Sequence, residues 1–277
     1  MGLGDLSFSA VASLKSIDNW IGILNSNMAG AGKVGYKATQ VKFNGGTITT
    51  GRPIVAPRLG VQIAEQSLGI AQTTVNYSQG AVTASTDFTH LALQRTTASP
   101  ALFVLNSESD GSGEYFYTFD GEFHLDTNNN LVDSNGLFVM SQNAGGAVGS
   151  DLDAIGLDAG DIVNDQITLN RMALRVFPNP QLDLRFSRFG SSIFETVNTP
   201  TTTPPTAAQL ATVDAIGNYN NANGAGRLIP NALEASNASL TAIVPELSLA
   251  QKMFSAIAKV IQVAFANIDT ALQLGPR

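Results

Sequence analysis

The residue types that do most protein chemistry are scarce in this chain. Its 277 residues include no cysteine and only two histidines, His90 and His124. Thiolate metal sites, iron–sulfur clusters, disulfides, cysteine nucleophiles and multi-histidine metal sites are therefore excluded together. Gly30-Ala31-Gly32-Lys33-Val34 has the outline of a phosphate-binding loop, but Asn27 stands where the first glycine is required and Val34 replaces the magnesium-binding hydroxyl. Small residues that let the chain turn out of a helix are the better reading. Asp126-Thr127-Asn128-Asn129-Asn130 begins like a calcium loop, yet Leu131 takes the glycine position and Leu137 the bidentate glutamate position. It reads as a hairpin turn in which asparagine tolerates left-handed backbone. Asp151, Asp153, Asp158, Asp161 and Asp165 form the most acidic stretch, for which a solvated loop is the main reading and a divalent-cation site the lesser one. No Gly-x-Ser-x-Gly elbow is present. Nothing singles out a carboxylate pair such as Glu114 with Asp120 for glycoside chemistry. The expectation is no catalytic residue, no cofactor-binding residue and no metal ligand.

The composition points the same way. Charged residues are 13% of the chain, against roughly 25% in an average globular protein. Apolar residues are an ordinary 44%, so small and uncharged polar residues have replaced the charge. A formal net charge of −7 disfavours nucleic acid, which needs a basic surface. The N-terminus lacks a basic stretch ahead of an apolar core, so no cleaved secretory signal is expected. No run of 18 apolar residues exists. The most apolar stretch, about 240–274, is broken by Lys252, Lys259 and Asp269 among others, so a membrane-spanning helix is not expected.

The ends of the chain read as helix and the middle as strand. Ala10, Leu14, Ile17, Ile21, Leu24 and Met28 step alternately by four and three residues, a heptad seam on one helix face. A longer seam runs Leu240, Ile243, Leu247, Ala250, Phe254, Ile257, Ile261, Ala264, Ile268, Ala271. Pro245 belongs in a first helical turn rather than a helix interior, which would put Leu240 and Ile243 in a lead-in segment. Between the seams, turn residues separate short runs rich in β-branched and aromatic residues: Leu91–Leu93, Ala101–Leu105, Tyr115–Phe119, Leu137–Met140 and Ala173–Phe177 read as strands. The segment Thr199–Thr206, with three prolines, reads as a surface loop. Each seam must bury its apolar face. Either the terminal helices pack on each other and on copies of themselves, or both dock on the β-rich body.

Five stretches bear on that choice. Ser26-Asn27-Met28-Ala29-Gly30-Ala31-Gly32-Lys33-Val34-Gly35-Tyr36-Lys37 resembles the Asn-Asn-Ile-Ala-Asn-x-Asn-Thr-x-Gly-Tyr-Lys that follows the N-terminal helix of bacterial flagellar rod and hook proteins. Asn27, Ala29, Gly35, Tyr36 and Lys37 match it; Ser26, Gly30, Gly32 and Lys33 depart from it. Tyr117–Asp126 with Asn130–Gly136 resembles the family's Tyr-Thr-Arg-x-Gly-x-Phe hairpin. Phe177-Pro178-Asn179-Pro180 with Phe189–Phe194 resembles its Phe-x-Asn-Pro stretch. Leu233-Glu234-Ala235-Ser236-Asn237 is similar to the Leu-Glu-x-Ser-Asn before its C-terminal helix, and Ala258-Lys259-Val260-Ile261-Gln262 to its tail. A departure is Ile243-Val244-Pro245-Glu246-Leu247, where the family usually has Leu-Val-Glu-Glu-Met.

The resemblance implies an α+β fold in which N- and C-terminal helices form a coiled-coil layer around a β-rich central domain. Residues 1–36 and 238–277 would be a discontinuous helical assembly domain, 37–80 an extended connector and 81–237 the β-rich body. The layout is closest to a distal-rod-type or short hook-type subunit. Its implied function is structural: a non-enzymatic subunit that self-assembles helically into a flagellar rod, hook or related filament outside the cytoplasm. Leu14, Ile17, Ile21, Leu24, Phe254, Ile257, Ile261 and Ile268 would form the inter-subunit seam, and Asn27, Ala29, Gly35, Tyr36 and Lys37 the turn out of the first helix. Implied partners are copies of the chain, other flagellar axial proteins, and the export apparatus with its chaperone or cap proteins. The rival reading is a secreted β-rich carbohydrate-active enzyme or adhesin with capping helices.

Overall fold

The computed structural model describes residues 3–45, 49–50, 62–63, 67–141, 154–155, 162–163, 166–167, 171–206, 208–214 and 216–273. The acidic 151–165 stretch falls outside these residues, apart from positions 154, 155, 162 and 163. The chain divides into two units: 1–29, 39–75 and 239–277 form one, and 30–38 with 76–238 the other.

The second unit is built on a twelve-stranded antiparallel sheet. Its main path runs Leu184–Ser187, Gly190–Thr196, Tyr115–Thr118, Ala101–Asn106, Leu174–Val176, Leu210–Val213, Asn218–Asn221, Gly224–Pro230 and Leu91–Arg95. Three short strands, His124–Leu125, Leu131–Val132 and Phe138–Val139, branch from Ala101–Asn106. The central strands are buried on both faces, so they read as unbroken apolar runs instead of alternating ones: every residue of Ala101–Asn106 and Tyr115–Thr118 is buried. Phe103 and Phe123 meet edge to face at 5.1 Å inside this core, which also holds Leu105, Phe116, Met172 and Leu174. Burying each such side chain stabilises the fold by about 1.5–3 kcal/mol. The Thr199–Thr206 segment forms turns beside the sheet, as its prolines predict. A short helix, α2 (Pro180–Asp183), starts on the proline of the Phe177–Pro180 stretch.

In the first unit, a long N-terminal helix (Leu3–Gly30; α1) packs on a two-stranded antiparallel ribbon of Thr39–Gly45 and Leu68–Val75. Trp20 stands edge-on to Phe43 at 5.1 Å. The Ser13 hydroxyl donates to the Ser9 carbonyl at 2.9 Å and accepts the Leu68 N–H at 2.8 Å. The row of α1 that is buried runs Ala10, Ser13, Ile17, Trp20, Leu24, Asn27. Leu14, Ile21 and Met28, expected on the seam, are only half-buried. The covered face is thus rotated from the aliphatic heptad, because Ser13, Trp20 and Asn27 find specific partners on the ribbon that an apolarity pattern does not register.

The C-terminal helix α3 spans Leu240–Gln273. It begins earlier than its sequence suggests: Pro245 lies inside it, while the Ser239 carbonyl accepts from the N–H groups of Ala242 and Ile243 to open the first turn. Over Leu240–Thr270 the helix is long and apolar enough, by length and composition, to cross a membrane.

The expected fold class needs correction. The protein is β-rich, with one helix at each end, and no coiled-coil layer of terminal helices exists among the described residues. The heptad spacing was read as a helix–helix seam, but α1 uses its buried row against β-ribbon residues. A three–four repeat specifies one apolar face, not what covers it.

Candidate functional site

Three of the resembling stretches, far apart in sequence, meet at one buried polar cluster within the second unit. Lys37 is fully buried. Its ammonium donates to Glu234 Oε1 at 2.5 Å and to the Ser78 carbonyl at 3.1 Å, and sits 4.3 Å over the Phe119 ring. Glu234 Oε1 also accepts the Gly80 N–H at 2.7 Å, and the Glu234 carbonyl accepts the Gly35 N–H at 2.8 Å. Burial pushes the Lys37 ammonium below its ordinary value, and the Glu234 carboxylate beside it opposes that shift.

Asn237 completes the cluster as a backbone mimic. Its Oδ1 accepts the Ala38 N–H at 2.7 Å, and its Nδ2 donates to the carbonyls of Asn76 and Ser78 at 2.7 and 2.9 Å. The strand Ala232–Glu234 pairs antiparallel with Val82–Ala84. Three segments, 35–38, 76–84 and 232–237, are thereby stitched side by side. No two of them are sequence neighbours, so side chains must supply the order that a tight turn would otherwise give.

The glycines here are dictated by space. Gly35 has φ +65°, and a Cβ on it would lie 2.5 Å from the Asp120 nitrogen, so both backbone and neighbours demand glycine. A Cβ on Gly30 would lie 2.4 Å from the Tyr36 ring.

The remaining expected site residues are placed as follows. Asn27 is buried in the first unit, where its amide brackets Thr39, accepting the N–H and donating to the carbonyl at 2.8 Å each. Ala29 is exposed. Ile17 and Leu24 are buried within the chain, and Leu14, Ile21, Phe254, Ile257, Ile261 and Ile268 are half-buried. Beside the expected α3 row lies a second one that sequence reasoning missed: Leu249, Met253, Ala256, Val260 and Val263 repeat the same spacing. Of these only Met253 is half-buried; the others are exposed, Val263 by 59%. Phe265 is 56% exposed beyond it.

One arrangement resembles catalytic machinery. The Ser85 hydroxyl lies 2.7 Å from His90 Nδ1, and Asp87 Oδ2 lies 3.6 Å from His90 Nε2. All three belong to a single turn, in which Ser85 also accepts the Asp87 N–H. Asp87 is 67% exposed at its side chain, so it cannot hold the imidazole in a dry, fixed orientation as a triad acid does. Glu114 is committed to Arg188 and Thr201. Asp126 accepts the N–H groups of Asn128 and Asn130, with Asn129 left-handed, which makes it a turn. Lys33 reaches the Ser191 hydroxyl, at 3.4 Å. Among the described residues no group of three or more His, Asp or Glu is placed to hold a metal ion.

Removing one member of a buried ion pair strands the other's charge. Lys37→Met or Glu234→Leu alone is expected to destabilise by about 3–5 kcal/mol, with the double variant well short of the sum; denaturant unfolding checks both. Gly35→Ala should lower stability by at least roughly 1–3 kcal/mol from backbone strain alone. Burial, with the nearby Glu122 and Asp133 charges adding to it, pushes the Asp120 carboxyl up to about 6 from its ordinary 3.8. Its ionised form is therefore disfavoured in the fold, a penalty absent below pH 3.8 and complete above about 6. Asp120→Asn should raise the melting temperature at pH 7, and its advantage over wild type should vanish near pH 4.

No protein-family model matches the chain. Its sequence is similar to that of the flagellar basal-body rod protein FlgG of Bacillus subtilis (strain 168), with 24% identity over 268 residues, spanning 92% of this chain and 92% of that protein.

Proposed function

We propose that this chain is a structural, non-enzymatic subunit of the axial part of a bacterial flagellum, of rod type, that assembles with copies of itself into a helical structure outside the cytoplasm. The observation that carries the reading is the end-to-end similarity to a rod protein. A specialised site or an inserted module would have produced a local match; 92% coverage of both chains fits a subunit whose whole length serves one architecture.

The uncovered apolar surface of α3 supports the self-assembly part of this reading. Leu249, Val260, Val263 and Phe265 are each about half exposed or more, beside the half-buried Phe254, Ile257, Ile261 and Ile268. Apolar contacts between different faces of identical subunits, repeated without closure, give filaments. Lys252 and Lys259 lie within the same stretch and favour a protein neighbour over a bilayer, where each would be costly. Under this reading the divided ends, 1–36 and 238–277, form the assembly domain. Other axial proteins cap the structure at either end, and the chain reaches it through the flagellar export apparatus. The first, exposed helix residues Phe8 and Val11 would take part with Leu14 and Ile21.

Ile257→Asp or Ile261→Asp is expected to abolish assembly in concentrated protein while the circular dichroism and thermal transition of the β-rich unit persist. Electron microscopy reads the outcome. Filaments formed by either variant would overturn the role of this helix.

A further inference from the structure

The Phe177–Pro180 stretch borders a buried cation in the central sheet. Arg175 occupies a central strand, between Leu102 and Leu210 in register, and only 7% of it is exposed. Its guanidinium lies 4.6 Å from the Phe177 ring centre and 5.0 Å from that of Tyr117, and donates through Nη1 to the Tyr117 hydroxyl. Its Nε is buried and has no hydrogen-bond partner. Among the described residues no carboxylate lies within ion-pairing distance of it.

A buried cation without a counter-charge is unusual, because aromatic faces offset only part of its lost hydration. Arg175 lines an open cleft of about 350 Å³, together with Phe177, Asp183, Asn198, Gln209 and Asn223 among others. This volume suits a small molecule or one or two side chains. Most of the wall is apolar, with Val176, Phe177 and Pro178 in it, and the three amides with the hydroxyls of Thr196 and Thr199 supply neutral polar groups that repel neither sign. Asp183 is the exception and acts as an acceptor for a donor group on whatever enters.

We propose that this cleft binds a carboxylate that carries an adjacent hydroxyl or amide donor, the carboxylate facing Arg175 and the donor facing Asp183. An arginine fork matches a carboxylate in geometry as well as charge. The proposal does not rest on the assembly reading. Two sources share this chemistry: a free hydroxy acid, and an acidic segment of a second copy of the chain.

The test titrates the full-length protein with sodium glycolate, with sodium chloride at matched ionic strength as the control. Saturation-transfer NMR of the glycolate methylene reports binding. Saturable binding is expected in wild type and at least about tenfold weaker binding in Arg175→Gln, the loss of a charge-assisted contact. Asn198→Trp, at an exposed rim position, should block binding while leaving Arg175 in place, and it carries the test alone if Arg175→Gln fails to fold. Sedimentation velocity separates the sources. Self-association weakened by Arg175→Gln or by glycolate, even without detectable glycolate binding, assigns the carboxylate to a second copy; glycolate binding with unchanged association assigns a free acid. Glycolate binding that survives both variants overturns the proposal, as does no binding together with unaltered association.

Discussion

The buried pair of Lys37 and Glu234 is the constraint on which the rest of the structure depends. Two charges removed from water are tolerated only when each is saturated by partners, and here the saturation is near complete. Lys37 has the Glu234 carboxylate, the Ser78 carbonyl and the Phe119 ring; Glu234 has the ammonium and the Gly80 N–H. Such a pair adds little net stability over an apolar pair of the same shape. It does discriminate, because any other alignment of segments 35–38, 76–84 and 232–237 leaves a charge stranded. Residues 197 positions apart are held in one register by that penalty.

The local oddities follow from this junction. Gly35 must be left-handed and bare to let the chain pass Asp120. Gly121 must be bare because a Cβ there would meet the Leu91 carbonyl, and Gly80 because it would meet that of Ala235. Asp120 is drawn into a partly dry position beside the backbone of Gly35 and keeps a raised pKa there. The junction gathers the chain segments that continue into α1 and α3, so the stretches that look most like a family signature are those that order the polypeptide.

The central strands were legible from sequence because their burial has a local trace, whereas the Asn- and Gly-rich strands Asn218–Asn221 and Gly224–Pro230 carry none. Ala101–Leu105 and Tyr115–Tyr117 are covered on both faces, and a strand buried on both faces must be an unbroken apolar run. The helices were legible as helices but not as surfaces. On α1, Trp20 and Ser13 displaced the aliphatic row because an edge-on ring contact and a hydrogen bond to Leu68 fix the face, and neither has a periodic signature. On α3 the expected row, though partly covered, has an uncovered neighbour of equal spacing. The expected coiled-coil layer failed for this reason: apolar spacing leaves the partner unspecified.

By itself, the sequence determined that thiol and multi-histidine chemistry is absent, and where the two terminal helices and the most apolar strands lie. No thiol, two histidines and sparse charge remove whole classes of chemistry whatever the fold, and period-two and period-three-to-four patterns are local consequences of backbone geometry. Only the tertiary structure decided that Lys37 meets Glu234, that Asn237 stands in for a strand, and that Arg175 lies buried beside a cleft without a counter-charge among the described residues. Those relations join residues tens to hundreds of positions apart. Their energy comes from desolvation, which exists only once the surrounding chain has excluded water.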